Sequence, residues 1–324
     1  MSFKKIWVLL AFFVLNLVYG ALNFTVRHPS QGGSGFVRVD SSSSPVRDHG
    51  LDIVFVHGLG SNPETTWGPL NSTCWVRDFL PEDIPGYLRN DIRIYLYNYD
   101  SHFKRESVRA RLRVFGENML VHVQTELRRT PEEQARHLIF VGHSYGGLVI
   151  KQALVSARID ARYADILDRT KAIVFLGTPH LGASLQFSIL GQALTYLLRP
   201  FGSSSTMVAE VSHERESLHD LHIDFENAVD DNVRVVNFYE MRKTGFSMGP
   251  FQVGCMVVEK KSATYARAVN IGLSLKHSDL NKFKTRDENY NCVLSHLRRL
   301  ILSTFLQETF APCIVLSRSN SRSF

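Results

Sequence analysis

The chain has 324 residues, 44% of them hydrophobic and 21% charged, and a formal net charge of +6. That is the make-up of an ordinary globular protein, long enough for one large α/β domain or two small ones with a sizeable core. No segment joins dense basic residues to interleaved aromatics, which excludes a nucleic-acid binder, while the mild basicity is compatible with anionic membrane surfaces.

Residues 1–22 open with Lys4-Lys5, then an apolar run from Ile6 to Leu22 that only Asn16 and Gly20 interrupt. This predicts a secretory signal cut before Ala21, with an uncleaved membrane anchor as the alternative. A mitochondrial presequence fits less well, because the stretch lacks arginine and amphipathic spacing. Both leading readings place the remainder on the lumenal or outer side, in the ER lumen, at its membrane or secreted; the mitochondrion and the cytosol are the alternatives. The sequons Asn23-Phe24-Thr25 and Asn71-Ser72-Thr73 agree with secretion. Residues 23–48, rich in Gly and Ser, are expected to form a flexible lead-in.

Residues 49–308 read as one domain of strands alternating with helices. The first strand, Leu51 to Val56, is apolar apart from Asp52, as suits a parallel strand buried on both faces, and it ends in His57-Gly58-Leu59-Gly60. A strand over 92–97 follows, then a long helix over 105–128 with Val108, Leu112, Phe115, Met119, Val123 and Leu127 on one face. The run Leu138-Ile139-Phe140-Val141 leads into Gly142-His143-Ser144-Tyr145-Gly146-Gly147 and a helix. Strand, sharp turn and helix around Gly-x-Ser-x-Gly are the context of a nucleophile elbow, in which a serine sits at a strained backbone position. Gly142 and Gly146 leave room there for strand and helix to approach.

A strand over 172–176 closes in Gly177-Thr178-Pro179-His180. Residues 183–231 break the alternation with two apolar helices, the second around Leu218, Leu221 and Phe225, and are expected to form a lid over the site or to pack on the sheet flank. Strands over 233–239 and 253–258, a helix from about Glu288 to Phe305 and a disordered tail over 309–324 complete the pattern. Cys74, Cys255, Cys292 and Cys313 form no CxxC pair, which argues against a zinc site, and no cofactor is expected.

A mostly parallel sheet binds ligands at the carboxyl ends of its strands. By that rule Glu240, directly after the strand over 233–239, and His277, after the last strand, become partners for Ser144. They give the chain order Ser, acid, His that accompanies a nucleophile elbow. An imidazole serves the serine as base, and a carboxylate fixes its tautomer and stabilises the imidazolium. His57, His143 and His180 also stand at strand ends but precede the acid; Asp230 and Asp231 precede their strand. Oxyanion donors are expected at the backbone N–H groups of Tyr145 and Leu59, with Gly58 the alternative to Leu59.

Taken together, HGLG at 57–60, GHSYGG at 142–147, LGTPHLG at 176–182, FYE at 238–240 and KHSDLNKF at 276–283 resemble one family. It is that of the α/β-hydrolases similar to the serine-active-site-containing (lipase-like) proteins, more distantly the GPI inositol-deacylases, with similar domains at the N-terminus of fungal NOD-like receptors. The resemblance covers about residues 50–305. It implies an α/β-hydrolase fold, a Ser144–His277–Glu240 triad and action on lipid or other acyl esters, with a signalling or interaction module on a hydrolase scaffold as the alternative. No nucleotide-binding or repeat domain follows residue 305, which weighs against the receptor role.

Overall fold

The structure is a computed structural model that describes residues 33–40, 50–68, 73–101, 108–180, 207–248, 251–255, 258, 264 and 267–319. The expected N-terminal signal or anchor therefore lies outside the described residues, and among the described ones no helix is long and apolar enough to cross a membrane.

Seven strands form the main sheet: β1 (Gly35–Arg38), β2 (Leu51–Val56), β3 (Ile92–Asn98), β4 (His137–His143), β5 (Thr170–Leu176), β6 (Arg234–Glu240) and β9 (Val269–Leu273), in the order β1-β3-β2-β4-β5-β6-β9. Every pairing from β3 to β9 is parallel, and only β1 runs antiparallel. Every residue of β2 and β4 is buried. Alternation along each strand supplies two cores: Val54, Val56, Phe140, Ile173 and Phe175 face one layer of helices, and Ile53, Phe55, Ile139, Val141 and Val174 face the other.

Helices α1 (Val108–His122), α2 (Tyr145–Ile159) and α3 (Met207–Ala228) cover the first face, and α4 (Glu288–Ser319) covers the second. Of the stretch expected to form a lid, 183–206 lies outside the described residues. The described remainder, α3, packs on the flank: Leu218, Leu221 and Phe225 are buried in the core that holds α2. Lys151 of α2 is buried beneath it, its Nζ donating to His222 Nδ1 at 3.0 Å and lying 5.0 Å from the Phe225 ring centroid. Burial pushes that ammonium down to about 7.

Four expectations need correction. The lead-in contains an ordered strand, β1, whose Phe36 packs on Tyr95 and Tyr97 and donates its N–H to Glu126 at 2.9 Å. The segment expected as a sheet strand at 253–258 instead gives β8 (Phe251–Cys255), paired antiparallel with β7 (Thr244–Met248) in a separate hairpin. The chain leaves β6 and turns back at once, and a parallel neighbour would need a longer crossover. The last sheet strand is therefore β9, whose Asn270 and Gly272 give it no apolar signature; as an edge strand it is half exposed. Finally, α4 continues to Ser319, so the expected disordered tail is helical backbone from 309 to 319, and 320–324 lie outside the described residues. Once nucleated, a helix extends at one hydrogen bond per residue through Cys313-Ile314-Val315-Leu316, although Pro312 removes one donor.

Candidate active site

β4 ends at His143 and α2 begins at Tyr145, so Ser144 alone spans the reversal, at φ 52° and ψ −122°. Among the described residues it is the one non-glycine with positive φ. Such strain persists only where neighbours over-determine it. Here the Ser144 N–H donates to the Leu176 carbonyl at 2.9 Å, while its own carbonyl accepts from Gly147 N–H and from the Thr178 hydroxyl, each at 3.1 Å. The glycines act as the turn requires. A β-carbon on Gly142 would lie 2.6 Å from Gly147 Cα, and one on Gly146 would run into the carbonyl oxygens of Val56 and His57.

His277 occupies a single turn, His277–Asp279, shortly after β9. Its Nε2 lies 3.0 Å from Ser144 Oγ, and its Nδ1–H donates to Glu240 Oε2 at 2.6 Å. Glu240 is the last residue of β6, buried, and its other oxygen accepts the Val258 N–H at 2.9 Å. The sheet thus brings Ser144, His277 and Glu240 together from the ends of three parallel strands, and the three selected residues meet in one hydrogen-bonded line.

The alpha/beta hydrolase family matches residues 53–251, from within β2 to the start of β8. The chain belongs to the alpha/beta hydrolase family. It is 28% identical to Protein SERAC1 of Homo sapiens over 270 residues, covering 76% of this chain and 38% of that protein. Protein SERAC1 of Danio rerio is 27% identical over 256 residues, covering 73% and 37%. The chain thus spans less than two fifths of the length of these curated relatives. Among solved structures, the mature lipase BlEst2 of Bacillus licheniformis has 17% identity and a TM-score of 0.48, over 80% of this chain and 97% of that one. An aryl esterase from Burkholderia cenocepacia, named as such only provisionally, has 14% identity and a TM-score of 0.43, over 83% and 94%.

Within this alpha/beta hydrolase, the competing residues have other partners. His57 donates from Nδ1 to the Gly58 carbonyl at 2.9 Å, accepts the Tyr99 N–H on Nε2 at 3.3 Å, and stacks on the Tyr99 ring at 4.3 Å. His180 is buried and contacts Asn237 Oδ1 through Nε2 at 2.8 Å, and burial drives it well below the usual histidine range. Asp230 accepts the Asn232 N–H at 2.8 Å, and Asp231 pairs with Arg267 at 2.5 Å on the surface.

The loop expected to carry oxyanion donors passes beside the serine: a β-carbon on Gly58 would sit 3.4 Å from Ser144 Cβ. Tyr145 opens α2, so its N–H points along the axis at the helix N-terminus, where the dipole favours negative charge. Sequence reasoning missed Ser101, which fixes the far end of that loop. Its carbonyl accepts Gly60 N–H at 3.2 Å, and its hydroxyl accepts Ser61 N–H at 3.2 Å and donates to Ser61 O at 2.7 Å. The strand-end rule that selected Glu240 could have found Ser101, three residues past β3. Among the described residues, no group of three or more His, Cys, Asp or Glu could hold a metal ion.

Proposed function

We propose that this chain is a serine ester hydrolase that cleaves or transfers acyl groups of lipid-like esters through an acyl-enzyme. The observation that carries the reading is the pair of hydrogen bonds linking Ser144 Oγ to His277 and His277 to Glu240. Ser144 Oγ attacks the ester carbonyl carbon while His277 Nε2 takes its proton. The carbonyl π-pair moves onto oxygen, where the N–H groups of Tyr145 and Leu59 (or Gly58) stabilise it. As the oxyanion collapses, the C–O bond to the alcohol breaks and His277 returns the proton to the leaving oxygen. Water, or an acceptor alcohol, then repeats the sequence on the acyl-serine. Glu240 holds the imidazole tautomer and stabilises the imidazolium throughout. The lipid-like acyl substrate is supported by the five motifs shared with lipase-like proteins.

Reaction with a fluorophosphonate probe, lost in Ser144→Ala, tests the nucleophile, and p-nitrophenyl esters beside phospholipids define the acyl group. Loss of the nucleophile is expected to lower kcat on the order of 10⁴-fold or more. An alanine variant with near-wild-type turnover would overturn the mechanism; a wild-type chain inert to probe and esters alike would favour the scaffold role.

For location, the motivating feature is Lys4-Lys5 ahead of the apolar run, and we place the domain in the secretory pathway with membrane association through that run if it stays uncleaved. Carbonate extraction, endoglycosidase sensitivity at Asn71 and the N-terminal residue test this together. A full-length, unglycosylated protein in the soluble cytosolic fraction would sink it.

A further inference from the structure

One buried ring beside the triad has no part in the proton transfers above. His143 is the last residue of β4 and the chain neighbour of Ser144. Its Nε2 lies 3.3 Å from the carbonyl oxygen of His277, and the two rings are 5.3 Å apart, tilted by 41°. A carbonyl only accepts, so His143 Nε2 carries the proton. Burial above all, then the charges of His277, Lys282 and His57, push His143 well below the usual histidine range, so the ring is neutral and Nδ1 is bare. Gly58 of the oxyanion loop stands against that bare edge: a β-carbon there would lie 3.2 Å from Nδ1.

We infer that His143 is a positioning residue that sets the spacing between the turn carrying His277 and the oxyanion loop, on either side of Ser144. The inference rests on the reading of Ser144 and His277 as nucleophile and base. The His277 carbonyl also accepts Leu280 N–H at 3.4 Å, which closes the turn 277–279 on itself. The contact from His143 is different in kind, because it ties that turn to the strand bearing the nucleophile. Without it the turn keeps its own closure and the bond to Glu240 but loses its tie to β4, and the His277 ring is held less firmly against Ser144 Oγ. A misplacement of about 1 Å at a reacting centre costs about 10²-fold in rate, whereas docking of the acyl chain does not use this contact. The expected signature is a loss in kcat with KM preserved.

The test uses the full chain, a p-nitrophenyl ester and a fluorophosphonate to count active sites, on His143→Leu, His143→Asn and His143→Gln. The Gln amide can place an N–H where Nε2 now sits; the Asn amide stops near the Nδ1 position, and Leu has no donor. Leu and Asn are expected to lower kcat per titrated site about 10- to 100-fold with KM within about twofold, and Gln to stay within about threefold of wild type. A ring that merely filled space would change the fraction of sites that titrate, or the melting temperature, and leave kcat per titrated site unmoved. Leu and Asn variants with wild-type kcat per site would overturn the inference, as would a Gln variant as impaired as Leu. Should the wild-type chain fail to react at all, or Ser144→Ala keep its turnover, the ester-hydrolase reading itself would fall.

Discussion

Glu240 divides its carboxylate between two donors: Oε2 takes the His277 Nδ1–H at 2.6 Å and Oε1 takes the Val258 N–H at 2.9 Å. The second bond fixes the plane of the carboxylate, so its charge is aimed along the His277–Ser144 line. It also ties the chain beyond the β7–β8 hairpin back to the end of β6.

Glu240→Gln keeps the volume but removes the charge that stabilises the imidazolium in the proposed mechanism, and it sets an amide against one of two N–H donors. We expect kcat to fall on the order of 10²–10⁴-fold with the melting temperature little changed. Steady-state kinetics beside a thermal melt check this. If Asp230→Asn or Asp231→Asn proves the damaging change, the acid is misassigned.

Gly146→Ala should fail at the level of folding. The added methyl meets the carbonyl oxygens of Val56 and His57, which are backbone atoms and cannot rotate away. Overpacking of this kind costs about 1–3 kcal/mol or more, and relief would have to come from moving α2 off β2. The expected outcome is a lower urea midpoint together with loss of probe labelling; a variant with wild-type midpoint and labelling would show that the elbow is not so tightly packed.

Much of the fold and of the site is legible in the sequence. β2, β4 and β5 are buried on both faces, so apolar residues dominate their sequences, and the glycines of the elbow mark a place where strand and helix nearly touch. Ser144 is legible from the elbow motif, and Glu240 and His277 from strand ends and chain order, although the sheet strand before His277 is β9 and not 253–258. The edge strands were not legible: β1 sits among Gly and Ser, and β9 carries Asn270 and Gly272, since an exposed edge needs no apolar pattern. Nor was the reach of His143, Ser101 or Val258, each of which is hydrogen-bonded to residues at least 18 positions away. Local sequence carries no trace of such a contact.

Acid should unfold this protein well before its carboxylates titrate fully. Burial, followed by neighbouring cations, lowers His137 to about 4, and burial with Lys151 lowers His222 to about 3. Both groups therefore have folded values below the ordinary 6.5. As pH drops below 6.5 the unfolded chain takes up protons that the folded chain refuses, so the stability they confer is present above 6.5 and is lost as pH falls toward their folded values. Each costs about 1.4 kcal/mol per pH unit across that window. Urea midpoints at pH 7 and pH 5 should differ clearly, and His137→Gln should narrow the gap; equal midpoints would refute the assignment.

Asp52 offers the cleanest separation of stability from chemistry. It is fully buried as the second residue of the otherwise apolar β2, a costly position for a charge unless it is paired. Arg93 pairs with it through Nη2 at 2.6 Å and Nε at 2.8 Å, and Arg136 through Nε at 2.8 Å. Arg93 also reaches Glu133 at 3.2 Å, and Arg136 donates to the carbonyls of Leu51 and Asp91. These residues stand at the amino ends of β2, β3 and β4, whereas Ser144 and Glu240 stand at the carboxyl ends of β4 and β6. Asp52→Asn would leave two buried guanidinium groups short of a counter-charge while keeping the side chain's shape. Breaking one member of a buried ion pair typically costs about 3–5 kcal/mol. We expect a loss of stability of that order by urea denaturation, with kcat per probe-titrated site within about twofold of wild type at a temperature where the variant is still folded. A drop in kcat per titrated site matching the drop in stability would mean that the two ends of the sheet are mechanically coupled, contrary to the separation drawn here.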